Sequence, residues 1–212
     1  MSSLRRLLGS LGIVAICAGW LTGGPVRADP APSATEAVRA TINEVIRILS
    51  DESLKAADRL KDRRAQLEAV IGRRFDYEEM SKRTLAAQWK KLGEAERTEF
   101  VELFKAFLSN VYGDKIEGYS GEQVEYLKER LEAPYAEVAT RIVSDKLVLP
   151  MEYRLLLKTG EWRVYDVIAD GISLVKNYRS QFEKVIREES YAALVEKLRK
   201  KSAEIKPPKT KG

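Results

Sequence analysis

The chain has 212 residues, 44% of them hydrophobic and 33% charged, with one Cys, no His and a formal net charge of +5. That length suits one domain with a substantial core, and the missing His removes the commonest general base and metal ligand. Arg5, Arg6 and Arg27 fall within the first 28 residues, which hold no acid, so the rest carries only +2; a nucleic-acid binder shows a stronger basic excess.

The N-terminus reads as a secretory signal. Arg5 and Arg6 precede an apolar run from Leu7 to Leu21, Gly23, Gly24 and Pro25 break it, and Val26-Arg27-Ala28 supplies a cleavage site. The run is short for a membrane span, which needs about 20 apolar residues. Cys17 follows the bulky Ile16, which argues against a lipoprotein signal. Cleavage after Ala28 leaves 184 residues without Cys or His, so neither an internal disulfide nor a His or Cys metal site is expected. The expected organisation is a signal peptide over 1–28, a single domain over 29–201 and a disordered Lys/Pro-rich tail over 202–212.

Asp29 to Pro32 is a Pro/Ala leader. Ser33 and Glu36 form a capping box, and Val38, Ile42, Val45, Ile46 and Leu49 then recur at helical spacing. Asp51 to Arg74 predicts further, highly charged helix with Leu54, Leu60, Leu67, Val70 and Ile71 on its apolar side. Asp76 and Glu79 form a second cap, with Phe75 placed to staple against Met80. The helix they start is predicted from Tyr77 to about Leu92, before Gly93. The next carries Phe100, Leu103, Phe104, Phe107, Leu108, Val111 and Tyr112, a wide apolar stripe.

The period then becomes two. Gln123 to Glu132 reads as a charged edge strand, Tyr135 to Ser144 as a strand with Val138, Thr140 and Ile142 on one face, and Leu149 to Lys158 as another with Met151, Tyr153, Leu155 and Leu157 together. Thr159-Gly160 predicts a tight hairpin turn into Glu161 to Ala169. A helix follows Gly171 with Ile172, Val175, Tyr178, Phe182, Val185 and Ile186, and a last one starts near Ser190. Helices, then adjacent antiparallel strands, then helices predict an α+β fold: a curved antiparallel sheet of about four strands packed against helices.

Two stretches resemble the MlaC, or toluene-tolerance auxiliary, family. One is Phe75-Asp76-Tyr77-Glu78-Glu79-Met80 with Trp89, Phe100, Phe104, Leu108 and Tyr112. The other is Trp162-Arg163-Val164-Tyr165-Asp166-Val167, Gly171-Ile172-Ser173-Leu174-Val175 and Tyr178-Arg179-Ser180-Gln181-Phe182. The resemblance covers about Val38 to Lys200. Ala86 departs from it, since members often place Gly after Leu there; the expected effect is on helix packing only. The resemblance implies a fold similar to the nuclear-transport-factor-2-like cone, a periplasmic location and a phospholipid held as cargo rather than as a cofactor. It further implies a monomer that shuttles the lipid between an outer-membrane lipoprotein–porin complex and an inner-membrane ABC transporter complex. A related subgroup sits beside hopanoid biosynthesis, so hopanoids or other apolar lipids are an alternative cargo.

Such a carrier needs a dry apolar cavity, because each buried methylene is worth about 0.8 kcal/mol. The pattern of the stripes fits a plain core as well as a cavity wall; the resemblance favours the wall. The lipid-contacting residues expected on that basis are Phe104, Phe107, Leu108 and Val111 on one helix, and Tyr153, Leu155, Val164 and Ile168 on two strands. Val175, Tyr178 and Phe182 on the following helix complete the set. A large polar side chain at Phe104 or Tyr178 is then expected to lower lipid occupancy without unfolding the chain. The basic pairs Arg63-Arg64, Arg73-Arg74, Lys82-Arg83 and Lys90-Lys91 read as solvated faces, with docking to an acidic partner or phosphate-bearing membrane as the alternative.

Enzyme signatures are weak. Ser173 and Lys176 match S-x-x-K, and Lys158-Thr159-Gly160 matches K-T-G, but the order is reversed and no S-D-N is present. Asp166 and Asp170 would lie about 13 Å apart on one strand, too far for a glycosidase pair. Asp166 facing an apolar cavity could serve a cone-fold acid–base enzyme; anchoring a neighbouring backbone group, Arg154 or Arg179 is the alternative use. A chaperone would instead show an open apolar groove. No enzyme activity is expected.

Overall fold

The computed structural model describes residues 33–145 and 147–203. The segment expected to be a signal peptide and the expected tail from residue 204 onward lie outside the described residues. The chain begins with α1 (Ala34–Ser50), capped where Ser33 Oγ accepts from the Glu36 N–H at 3.1 Å. The predicted long helix over 51–74 is shorter: two 3-10 turns precede α2 (Leu60–Arg74). Asp51 breaks the helix by adopting extended backbone and capping the first of those turns through Ser53.

Asp76 Oδ1 accepts from the Glu79 N–H at 3.0 Å, starting α3 (Tyr77–Leu85) as predicted. Its end is not as predicted. Ala86 takes φ 50°, ψ −117°, and the chain continues to Lys91 as 3-10 helix. The family's glycine is thus explained by backbone rather than packing, because that region is open to Gly and strained for Ala. Helix α4 (Glu94–Glu117) follows; Glu96 Oε2 accepts from the Gly93 N–H at 2.8 Å.

Five strands form one antiparallel sheet in the order β1-β2-β3-β4-β5: β1 (Gln123–Glu132), β2 (Tyr135–Ser144), β3 (Leu147–Lys158), β4 (Glu161–Ala169) and β5 (Ile172–Ser173). Three of the four predicted strands have the predicted limits, and β3 starts two residues early. The short fifth strand arises because Asp170 and Gly171, both with positive φ, turn the chain back on β4. Thr159 and Gly160 do the same between β3 and β4, the geometry of a type I′ hairpin. Helix α5 (Leu174–Glu188) and α6 (Tyr191–Ala203) close the chain; α6 continues two residues past the predicted tail boundary.

Two bulges shape the sheet. Leu127 of β1 and Tyr165 of β4 are each skipped in the pairing, between Tyr126/Lys128 and Val164/Asp166. An inserted residue bends its strand and exchanges the faces beyond it. On β4, Trp162 and Val164 pair with Leu157 and Leu155, whereas beyond the bulge Val167 and Ala169 pair with Tyr153 and Met151. Asp166 and Ile168 consequently point the other way.

The core is divided. The largest cluster joins α3, α4, α5 and α6 around Phe100, Phe104, Phe107, Tyr178 and Phe182. Its ring centroids lie 5.2–6.4 Å apart, within the range of favourable aromatic packing. A second cluster sets Ala34, Ala37 and Val38 of α1 on Ala136, Val138, Leu155, Trp162 and Val164 of the sheet. A third lies between α1 and α2, around Ile48, Leu49, Leu67 and Val70.

Candidate lipid cavity

Between these clusters the chain leaves a cavity of about 830 Å3. Helix α1 contributes Val38, Ile42, Val45, Ile46 and Leu49, and α2 contributes Leu67 and Ile71. The C-terminal half of α4 adds Leu108, Tyr112 and Ile116, and Tyr119 follows just beyond its end. The sheet supplies Val124, Ile142, Leu149, Met151, Tyr153, Val164, Val167 and Ala169, and Phe75, Tyr77 and Met80 close the α3 side. Leu147 and Ile172 line it while half or more exposed, so apolar surface reaches the rim there.

Polar groups in the wall are mostly neutralised. Arg63 and Arg64 bind Glu117, and Arg64 also meets Asp114 at 3.1 Å. These pairs tie the first turns of α2 to the end of α4. The Glu117 side chain is only 7% exposed, so its two guanidinium partners matter: a buried carboxylate without them would be very costly. Burial pushes the Tyr153 hydroxyl from 10.0 up to about 12, so this group of the wall stays protonated well into the alkaline range.

The structure brings Leu108, Tyr153 and Val164 to the cavity. The other expected contacts lie elsewhere. Phe104, Phe107, Val175, Tyr178 and Phe182 belong to the aromatic cluster, packed by protein on all sides. Phe104 has no exposed surface, so a polar residue at Phe104 or Tyr178 is now expected to damage the fold itself. Leu155 is sealed under α1. Ile168 is turned to the opposite face by the Tyr165 bulge. Val111 is 39% exposed on the outer side of α4. The stripe on α4 was wide because it serves two neighbours: its Phe positions enter the helical cluster, and only its last turns reach the cavity. The walls missed from sequence are chiefly α1 and α2, with Phe75, Tyr77 and Met80, Val124 of β1 and Ile142 of β2. The signal for α1 was the run of Val38, Ile42, Val45, Ile46 and Leu49, which has the period of an ordinary core helix.

Asp166 is buried and fully occupied. It accepts from Ser173 Oγ at 2.6 Å and from the Val175 N–H at 3.0 Å, with Arg154 at 3.9 Å. It anchors the start of α5 on the face away from the cavity, and Ser173 caps that helix through the Lys176 N–H at 3.1 Å. Lys158 meets Asp76 at 3.0 Å. The serine and lysine of the enzyme-like motifs are therefore held in structural contacts. Several members of the basic pairs are likewise engaged: Arg73 with Glu44, Lys82 and Arg83 with Glu79, and Arg83 also over the Tyr165 ring.

The arrangement defines an α+β protein with an apolar cavity, open at one rim, between helices and an open antiparallel sheet. The MlaC protein family model matches residues 39–200, and the chain belongs to the MlaC family. It is similar to the intermembrane phospholipid transport system binding protein MlaC of Haemophilus influenzae, 21% identical over 128 residues, 58% of this chain and 60% of that protein. It is also similar to the toluene tolerance protein ttg2D of Pseudomonas putida, 27% identical over 119 residues and 55% of each chain. The chain thus matches less than two thirds of the length of either relative. Among solved structures, the phospholipid-binding protein of Ralstonia solanacearum, determined with a phospholipid, shares the fold with a TM-score of 0.72 at 20% identity. That match covers 82% of this chain and 99% of the other. No helix of the described residues is long and apolar enough to cross a membrane.

Proposed function

We propose that this chain is a periplasmic phospholipid carrier that holds the acyl chains in the apolar cavity and keeps the headgroup at its edge. The observation carrying this reading is the cavity itself, about 830 Å3 of space walled by aliphatic and aromatic side chains. At about 30 Å3 for a water-sized group, it has room for roughly 28 methylenes, most of two ordinary acyl chains. Burying that many is worth about 22 kcal/mol at 0.8 kcal/mol each, which offsets the cost of leaving a membrane. The headgroup stays near water because an unpaired buried phosphate is very costly. The names of its relatives support phospholipid as cargo and transport between membranes; in this reading the chain delivers it between an outer-membrane lipoprotein–porin complex and an inner-membrane ABC transporter complex, as the sequence resemblance implies. Export by the N-terminal signal would place the chain between those membranes.

Native mass spectrometry of the mature chain purified from a bacterial periplasm, followed by solvent extraction, tests this reading. One diacyl phospholipid per chain is the expected result. A bound hopanoid would keep the carrier and change the cargo. A chain that arrives empty and takes no lipid from vesicles would refute it.

A further inference from the structure

Helix α2 runs along the cavity and sets two arginines on it, Arg64 and Arg74. Ten residues separate them, about 15 Å along the helix axis at 1.5 Å per residue. Their surroundings differ. Arg64 is bound by the carboxylates of Glu117 and Asp114. Arg74 is half-buried and pairs with no carboxylate among the described residues; its Nε donates to Thr41 Oγ1 at 3.0 Å and its Nη1 to the Trp162 carbonyl at 2.6 Å. Both acceptors are neutral. A guanidinium has five N–H donors in a planar fork, so these contacts leave donors to spare. Thr41 also lines the cavity, which places the Nε edge of the guanidinium at its wall.

The surroundings add repulsion. Burial, and then Arg163, push the Arg74 pKa below its usual value, and Glu161, which itself pairs with Arg163, offsets only part of that. The C-terminal end of α2 offsets part of the cost, as a cation there meets the negative end of the helix dipole. Lys115 also lines the cavity but is exposed and solvated. Arg74 is therefore the half-buried cation of this wall whose hydrogen-bond partners are neutral. Such a group is stabilised most by an incoming anion, and a planar fork suits two oxygens of one acid.

Building on the carrier reading, we propose that Arg74 anchors the phosphodiester of the bound lipid at the end of the cavity where α1, α2 and β4 meet. The acyl chains then run along α2 toward α4. Amphiphiles bearing an acid are selected over neutral lipids of the same chain length, which disfavours a hopanoid hydrocarbon as cargo.

The test loads delipidated wild-type, R74Q and R74K chains with phosphatidylglycerol and diacylglycerol of identical acyl chains in competition. Native mass spectrometry reads the bound ratio, and circular dichroism verifies folding. Wild type is expected to favour the phospholipid by about tenfold or more, the scale of a charge-assisted hydrogen-bond pair. R74K should keep most of that preference and R74Q should lose most of it. Unchanged preference in R74Q, or equal loss of both lipids, would overturn the proposal and leave Arg74 a staple between α1 and β4. Modification by phenylglyoxal provides a reading on the wild-type chain alone: phospholipid should protect Arg74 more than diacylglycerol does, and equal protection would overturn the assignment. A wild-type chain that takes neither lipid defeats the carrier reading itself.

Discussion

Filling the cavity should have opposite effects on the protein and on its cargo. Val167 lies on β4 opposite Tyr153 and faces the cavity. Val167→Phe adds four carbons there. In a packed core such an insertion costs about 1–3 kcal/mol, because neighbours are forced from their rotamers. In open apolar space the same carbons gain contacts, at most about 3 kcal/mol at 0.8 kcal/mol per methylene. The delipidated variant should therefore melt at or above the wild-type temperature, by up to about 10 °C, since 1 kcal/mol moves the midpoint of a chain this size by about 2–4 °C. The cargo loses the room those carbons occupy, about 3 kcal/mol or roughly a hundredfold in affinity. Phe104→Ala supplies the contrast. Phe104 is fully buried in the aromatic cluster, so truncation should cost about 3–5 kcal/mol of stability. Scanning calorimetry of delipidated chains and competition for a limiting phospholipid, read by native mass spectrometry, give the two quantities. A Val167→Phe chain that melts several degrees lower yet binds lipid normally would show that this wall is packed core.

Ala86→Gly should raise stability by about 1 kcal/mol, because relief at positive φ exceeds the entropy added to the unfolded chain; a lower melting temperature would count against the backbone account. Glu117→Gln removes the carboxylate that two guanidinium groups share and should cost about 3 kcal/mol in denaturant titration; an unchanged midpoint would mean the pairs are solvated. Alkaline pH should weaken the fold. The raised pKa of Tyr153 means the folded state holds its proton more tightly than the unfolded chain, so that stability is intact below pH 10.0 and is lost as pH climbs toward about 12. Tyr153→Phe should flatten part of that decline, and an unaltered slope would assign it to other groups.

Much of the architecture is written locally. Ser33, Asp76 and Ser190 cap helices with their own side chains, and Thr159-Gly160 sets a hairpin whose alternation places Met151, Tyr153 and Leu155 on one face. These signals act within a few residues, so they survive in a bare sequence. The order of helices and strands follows from them, as does a sheet of adjacent antiparallel strands.

Where the cavity lies is decided elsewhere. An apolar stripe has the same period whether it meets a packed neighbour or open space, so Phe104 and Ile42 are indistinguishable by pattern, yet one is core and the other wall. A single inserted residue at Tyr165 turns Ile168 away and brings Val167 in, and a period of two cannot announce where it slips. The neutral surroundings of Arg74 depend on segments far apart in the chain, Thr41 and Trp162. The sequence alone determined which surfaces are apolar and which turns connect them; only the assembled fold decided which of those surfaces remain unfilled, because a void is what several elements fail to occupy together.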